Sequence, residues 1–133
     1  MKYLLILTLF FLPFSVSANC YKVSIKGGYS DMVKKKAKWQ NDSMGGATFD
    51  VDLDPNDPQL RKFKNRTCEI TGPNMMVCTL KHYDIYLTET WLIAPHIKAA
   101  YTTKVMSGGE KDSQVSALSG KIIGKCTEAK NNS

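Results

Sequence analysis

Residues 48–54 read Thr48-Phe49-Asp50-Val51-Asp52-Leu53-Asp54, the stretch in which apolar and charged side chains alternate most cleanly. Phe49, Val51 and Leu53 fall on one face of an extended chain, and the three aspartates fall on the other. A period of two residues is the pattern of a β-strand with one buried face. The turn-forming sequence Pro-Asn-Asp-Pro follows at residues 55–58, so we expect the strand to end there.

Segments of similar character lie on both sides of this strand, over residues 21–26, 84–93, 97–106 and 114–126. The first alternates bulky with polar side chains, and we expect Gly27-Gly28 to end it. Residues 84–93 and 97–106 are rich in β-branched or aromatic residues, and we expect residues 114–126 to close the fold with one further strand. About six to eight short strands at this spacing predict a mainly β protein, with a small antiparallel sheet folded as a barrel or sandwich. The alternative is an α+β fold in which one short helix, near residues 32–39, packs on the sheet.

Four cysteines, Cys20, Cys68, Cys78 and Cys126, predict two disulfides. Cys68 and Cys78 flank two short segments around a Gly-Pro-Asn turn, a hairpin pattern that lets them face each other. Cys20 and Cys126 would then join the two ends of the mature chain. Zinc is the competing use of four cysteines, but zinc sites usually take pairs two to four residues apart, a spacing that this chain lacks.

The amino terminus has the three parts of a secretory signal peptide. Lys2 supplies the positive charge, residues 4–14 form an apolar run (LLILTLFFLPF), and small residues precede an expected cleavage after Ala18. The run is shorter than the ~20 residues of a spanning helix, which disfavours a membrane anchor. A lipoprotein would need Gly, Ala or Ser before its lipidated cysteine, and Asn19 precedes Cys20 instead.

The sequence therefore predicts three parts: a signal peptide over residues 1–18, one disulfide-stapled β-rich domain over 19–126, and a flexible tail over 127–133. The mature chain has no transmembrane segment by this interpretation. Its expected location is the periplasm or the extracellular space, where disulfides persist.

The chain carries 18 Lys and Arg against 12 Asp and Glu, a net charge of +6, and loses one lysine with the leader. A moderate positive charge favours anionic partners, although it is also that of an ordinary soluble surface. Charge is densest beside an aromatic residue, which can stack a ring while the lysines hold an anion. The predicted contact residues are Lys34, Lys35, Lys36, Lys38 and Trp39. A second basic cluster comprises Arg61, Lys62, Lys64 and Arg66.

The sequence gives weaker support for catalysis or metal binding. His82 and His96 are the only histidines, and a metal-independent nuclease would need both at one phosphodiester. Asp50, Asp52 and Asp54 begin like a calcium loop of the EF-hand type, but Pro55 and Arg61 stand where that loop needs glycine and glutamate. We expect these aspartates to be a solvated strand face, and we expect no metal or cofactor.

Two further predictions concern the burial of aromatic residues and the glycosylation of surface asparagines. We expect aromatic side chains near the middle of the chain to lie in the core, namely Trp91 with Tyr83, Tyr86 and Tyr101. The sequons at Asn41, Asn65 and Asn131 would carry glycans only in a eukaryotic secretory pathway.

The expected function is that of a small, exported, non-enzymatic binding protein, inhibitor-like or immunity-like, that presents a basic surface to its partner. That partner is a protein or an anionic component of the cell envelope, with nucleic acid less favoured. One alternative is a basic secreted hydrolase, nuclease-like, that uses His82 and His96. Another is a structural subunit of an envelope appendage or secretion apparatus, for which a long unpaired edge strand would be the signature.

Overall fold

A computed structural model describes residues 19–32, 39–63, 65–109 and 113–127. They form an antiparallel, nearly closed, barrel-like sheet, so the prediction of a mainly β fold is confirmed in its barrel form. The strands are β1 (Cys20–Met32), β2 (Gln40–Asn41), β3 (Thr48–Asp52), β4 (Gln59–Leu60), β5 (Thr67–Gly72), β6 (Met75–His82), β7 (Ile85–Ala94), β8 (Ala99–Ser107) and β9 (Gln114–Lys125). A single 3-10 turn, Pro95–Ile97, is the only helix in those ranges. The helix of the α+β alternative would fall mostly on residues 33–38, outside the described residues.

Consecutive strands β5 to β9 pair in sequence order as a meander. The first strand, β1, closes against the last strand, β9, and then pairs with β3, which pairs with β4. The two free edges, β4 and β5, approach each other and leave the barrel almost shut. They are only two and six residues long. The described sheet therefore offers no long unpaired edge of the kind that would mark a structural subunit.

Strand β1 continues through Gly27-Gly28, where the sequence predicted its end. The partner register moves between Ile25 and Gly27, so Lys26 is the extra residue of a bulge. Gly27 takes a φ of 155°, which glycine adopts without the strain of a side chain. A Cβ at Gly28 would overlap the Ala117 carbonyl and Leu118 of β9. Glycine is needed here because β1 bends and approaches β9 closely.

The inward-facing residues form rows that cross the sheet. One row, here called the tryptophan row, pairs Met76, Trp91, Thr102, Leu118 and Gly28 in succession. The next, the glutamate row, pairs Cys78, Glu89, Lys104, Ser116 and Ser30. Phe49, Val51 and Leu53 are buried, as the alternation of residues 48–54 predicted. They complete the apolar core with residues of β1, β4 and β7.

Two disulfides close the fold, Cys20–Cys126 and Cys68–Cys78, and both predicted pairings are confirmed. The first joins the start of β1 to the end of β9, and the second crosses the β5–β6 hairpin. In the described part of the chain, no helix is both long and apolar enough to cross a membrane. The predicted leader and most of the predicted tail, residues 1–18 and 128–133, lie outside the described residues.

Candidate functional site

The predicted contact residues are only partly within the described chain. Lys34, Lys35, Lys36 and Lys38 lie outside it, whereas Trp39 is described and 54% exposed. Trp39 immediately precedes β2, whose Asn41 pairs with Tyr29 of β1. Tyr29 is 58% exposed. Two exposed aromatic side chains therefore lie where β2 pairs with the end of β1, and we call residues 29–32 and 39–41 of this strand pair the arm.

The outer surface of β6 to β9 carries a broad area without charge. Because Trp91, Glu89 and Ile93 face inward, the alternate residues of β7 face outward, and strand pairing fixes their neighbours. We call this area the uncharged face. Its three rows are Met75, Leu92, Tyr101, Ser119; Val77, Thr90, Thr103, Ala117; and Thr79, Thr88, Val105, Val115.

The borders of the uncharged face are polar or aromatic. Lys81 and Tyr86 pair beyond one end, and Lys121 lies beyond the other. Glu69 pairs with Val77 on the β5 side, and Tyr29 pairs with Ala117 on the β1 side, next to the arm. At about 4.8 Å between strands and about 3.4 Å per residue, the face measures about 20 Å by 20 Å.

The two arginines of the second basic cluster form ion pairs with carboxylates of the barrel. Arg61 Nε and Nη2 donate to Asp52 Oδ2 at 3.1 and 2.9 Å. Arg66 Nε lies 2.7 Å from Glu89 Oε2. Lys62 is exposed, and Lys64 lies outside the described residues. The two arginines of this cluster therefore brace the barrel instead of forming a basic surface.

A buried ionic cluster inside the barrel was not predicted from the sequence. Glu89 is fully buried and forms ion pairs with two cations, Arg66 Nε at 2.7 Å and Lys104 Nζ at 2.9 Å. Aromatic rings enclose it: Arg66 lies over Phe63 at 4.2 Å, and Lys104 lies 5.0 Å from the Phe49 ring centre. The signal was present, because alternation within β7 puts Glu89 on the same face as Trp91 and Ile93.

The aspartates at the end of β3 and just after it contact nearby residues. Asp52 pairs with Arg61, Asp54 Oδ1 accepts from the Asn56 N–H at 2.9 Å, and Asp57 Oδ2 accepts from Gln59. Within the described ranges, no group of three His, Cys, Asp or Glu side chains is placed to hold a metal ion. Asp52 is buried, so the expectation of a wholly solvated strand face is wrong at that position.

The two histidines lie at opposite ends of β7. His82 ends β6, just before the turn into β7, and His96 lies in the 3-10 turn after it. The ten residues of β7 span about 30 Å at about 3.4 Å per residue. An acid and a base must both reach one substrate within hydrogen-bonding distance. The geometry therefore does not support a nuclease that uses this pair.

The aromatic prediction divides between core and surface. Trp91 is fully buried and contacts Phe49, with ring centres 5.1 Å apart. Tyr83, Tyr86 and Tyr101 are exposed by 84%, 52% and 46%, so the expectation that they lie in the core is wrong. Tyr86 and Tyr101 face outward because the inward positions of β7 and β8 have the opposite parity.

Comparisons of the chain with protein-family models, with curated proteins and with solved structures find no match. The candidate site therefore rests on the geometry of this chain alone.

Proposed function

We propose that this protein is an exported, non-enzymatic binding protein that holds a partner protein against its uncharged face. The observation that carries the proposal is the set of twelve outward positions without one charge, in a chain with 23% charged residues. Seven of these twelve side chains are apolar or aromatic, and an exposed apolar area of a few hundred Å² marks an interaction site.

The anatomy of the face supports a protein partner. The centre of a protein interface is depleted in charge and enriched in aromatic residues, and its rim is polar. Here Thr103 and Thr90 lie at the centre, Tyr101 lies within the face, and Lys81 and Lys121 border its two ends. An area of about 400 Å² is about half of the ~800 Å² that each partner contributes to a standard interface.

The arm supplies the remaining surface in this proposal. Tyr29 extends the central row of the face, and Trp39 follows on the same arm. The predicted contact residues Lys34, Lys35, Lys36 and Lys38 come directly before Trp39 in sequence. The partner expected from this chemistry is a protein with an apolar patch bordered by acidic side chains, as an inhibitor or immunity protein would recognise.

Export is supported by the leader pattern and by the two disulfides. The disulfides also lower the cost of binding, because a cross-linked barrel loses little conformational freedom when its partner docks.

A charge placed at the centre of the uncharged face tests the proposal. Thr103→Lys changes an exposed side chain, so the free energy of unfolding should stay within about 0.5 kcal/mol of the native value. A lysine buried at the interface centre should weaken partner capture about tenfold or more. The measurement is quantitative affinity isolation from envelope extract with the oxidised mature protein, together with a melting curve.

Thr48→Lys on β3 is the matched control, because it places the same charge at an exposed position on another strand. A partner counts only when the control retains it and Thr103→Lys loses it. Changing Lys34, Lys35, Lys36 and Lys38 to glutamine should weaken the same capture at an unchanged melting temperature. Equal capture by Thr103→Lys and the native protein would contradict the proposal, and so would a purified homodimer that dissociates in that variant.

A further inference from the structure

The turn between β6 and β7 places a tyrosine where a smaller residue is expected. His82 pairs with Ile85, so Tyr83 and Asp84 form the whole loop. A two-residue loop fits the right-handed twist of its strands when its backbone takes positive φ angles. Tyr83 has φ 52°, a left-handed conformation that suits glycine, asparagine or aspartate and is an outlier for a bulky side chain.

The neighbouring hairpin meets the same backbone requirement with a suitable residue. Gly72 pairs with Met75 around Pro73 and Asn74, and Asn74 takes the left-handed conformation with φ 57°. Asparagine tolerates this conformation because its short side chain can bond to the nearby backbone. Of the two hairpins, only the β6–β7 turn therefore carries a side chain that its backbone disfavours.

The side chain of Tyr83 makes few contacts with the rest of the protein. The residue is 84% exposed, the highest value among the large apolar and aromatic residues in the described ranges. Its ring lies edge-on to His82, with ring centres 4.5 Å apart, and His82 is itself exposed. Strained residues cluster at functional sites, and packing within the fold does not explain a tyrosine at this position.

Lys98 is also left-handed, but its place in the fold accounts for that conformation. It ends the 3-10 turn after β7, and the residue that ends a helical turn commonly takes this conformation. Its carbonyl accepts from the Ile122 N–H at 2.9 Å, which ties the turn to β9. Lys98 is therefore a suitable control for the strain at Tyr83.

The β6–β7 turn adjoins the uncharged face. Lys81 pairs with Tyr86 in the next outward row after Thr79 and Thr88. The Lys81 ammonium lies 5.2 Å from the centre of the Tyr86 ring, and Tyr86 is 52% exposed. A partner that covers the uncharged face can therefore reach Tyr83 by continuing across Lys81 and Tyr86.

We propose that Tyr83 anchors the protein partner of the uncharged face by inserting its ring into a pocket of that partner. The inference rests on the proposed function and adds the shape and chemistry of the partner to it. Tyrosine presents a rigid, amphipathic surface at low entropic cost and is enriched among the residues that dominate interface energies. The complementary pocket has apolar walls for the ring and a hydrogen-bond acceptor for the phenol hydroxyl. The partner is thus a protein with a concave site.

The test uses a variant that should change stability and binding in opposite directions. Tyr83→Asn relieves the left-handed strain, so the melting temperature should rise by about 4 °C, while affinity for the partner should fall about thirtyfold or more. Tyr83→Phe keeps the ring but loses the hydroxyl and its hydrogen bond, and it should weaken binding about threefold.

The measurement compares the proteins that each oxidised, immobilised variant retains from envelope extract. The protein that Tyr83→Asn loses is then purified, and its Kd for each variant is measured by calorimetry. Lys98→Asn is the matched control, because it relieves the same strain at the opposite end of β7. Its melting temperature should rise similarly, and the Kd should stay within about twofold of the native value.

The outcomes separate this inference from the proposed function. A protein lost by Tyr83→Asn but retained by Thr103→Lys would support the tyrosine anchor and contradict the uncharged face. A protein lost by Thr103→Lys but retained by Tyr83→Asn would leave the face standing and overturn the anchor. Identical sets of retained proteins for Tyr83→Asn and native protein, empty sets included, would also overturn it, and so would equal losses in Tyr83→Asn and Lys98→Asn. Loss by Tyr83→Asn of binding to phosphatidylglycerol vesicles alone would overturn it too, because it would indicate a membrane surface.

Discussion

Two adjacent rows of inward-facing residues differ in what they bury: one is mainly apolar, and the other contains charged side chains. The tryptophan row packs Met76, Trp91 and Leu118 as apolar contacts. The glutamate row lies about 7 Å from the tryptophan row along the strands. In it, buried Glu89 forms ion pairs with Lys104 of the same row and with Arg66. Apolar packing is stabilised by any neighbour of suitable volume, whereas a buried charge is tolerated only when specific partners reach it. The comparison teaches that the tryptophan row should tolerate apolar substitutions that nearly conserve volume, whereas the glutamate row should not tolerate the loss of its charge.

The largest expected effect is the loss of the buried carboxylate. Glu89→Gln keeps the shape of the side chain but leaves Arg66 and Lys104, which are 11% and 15% exposed, without their counter-charge. Removing one member of a buried ion pair costs about 3–5 kcal/mol, so the free energy of unfolding should fall by that amount. Denaturant titration of the oxidised protein measures it.

Asp52→Asn is the control for that variant. It removes the charge of another carboxylate–arginine pair, but the Arg61 side chain is 27% exposed and can turn to water. The expected cost is about 1 kcal/mol. If both variants cost the same, the burial of the glutamate row would have no energetic consequence and the comparison would fail.

A smaller loss of stability is expected from a substitution in the apolar core next to the tryptophan row. Ile93 is buried beyond the tryptophan row on the same strand, and Ile93→Val removes one methylene. The expected loss is about 0.5–1.5 kcal/mol from reduced transfer energy and a small cavity. The same denaturant titration measures it, and Ile123→Val at an exposed bulge of β9 should change stability by less than 0.5 kcal/mol as its control. A loss above 3 kcal/mol at Ile93 would show that this side is as intolerant as the glutamate row.

Local features of the fold were predictable from the sequence, whereas contacts between distant strands were not. Alternation at Phe49, Val51 and Leu53 predicted a buried strand face, because period-two burial is a local property of the chain. The disulfide pairings followed from a hairpin pattern and from elimination. A barrel was one of the two predicted forms, but the pairing of β1 with β9 that closes it was not predicted, because these strands are distant in sequence and their pairing depends on a close approach at Gly28.

The candidate site was less predictable than the fold. The uncharged face exists only because four strands align their outward positions, so its members, such as Val77, Thr103 and Val115, are scattered along the chain. Likewise Arg61 and Arg66 look like a basic surface in sequence, but Arg61 pairs with Asp52 of β3 and Arg66 pairs with Glu89 of β7. Charge clusters in sequence therefore predict a surface only when their partners across the sheet are known.

The smallest effect, a gain in stability, is expected at a polar residue within the tryptophan row. Thr102 is 2% exposed in the tryptophan row, and its hydroxyl has no hydrogen-bond partner among the described residues. An unsatisfied buried hydroxyl is destabilising, and Thr102→Val replaces it with a methyl that packs against Trp91 and Leu118. The free energy of unfolding should rise by about 0.5–1 kcal/mol, and Thr103→Val on the outer face should leave it nearly unchanged. A fall of more than 1 kcal/mol in Thr102→Val would mean that the hydroxyl is bonded, for example to a buried water, and that the polar interior extends one row further towards Ile93.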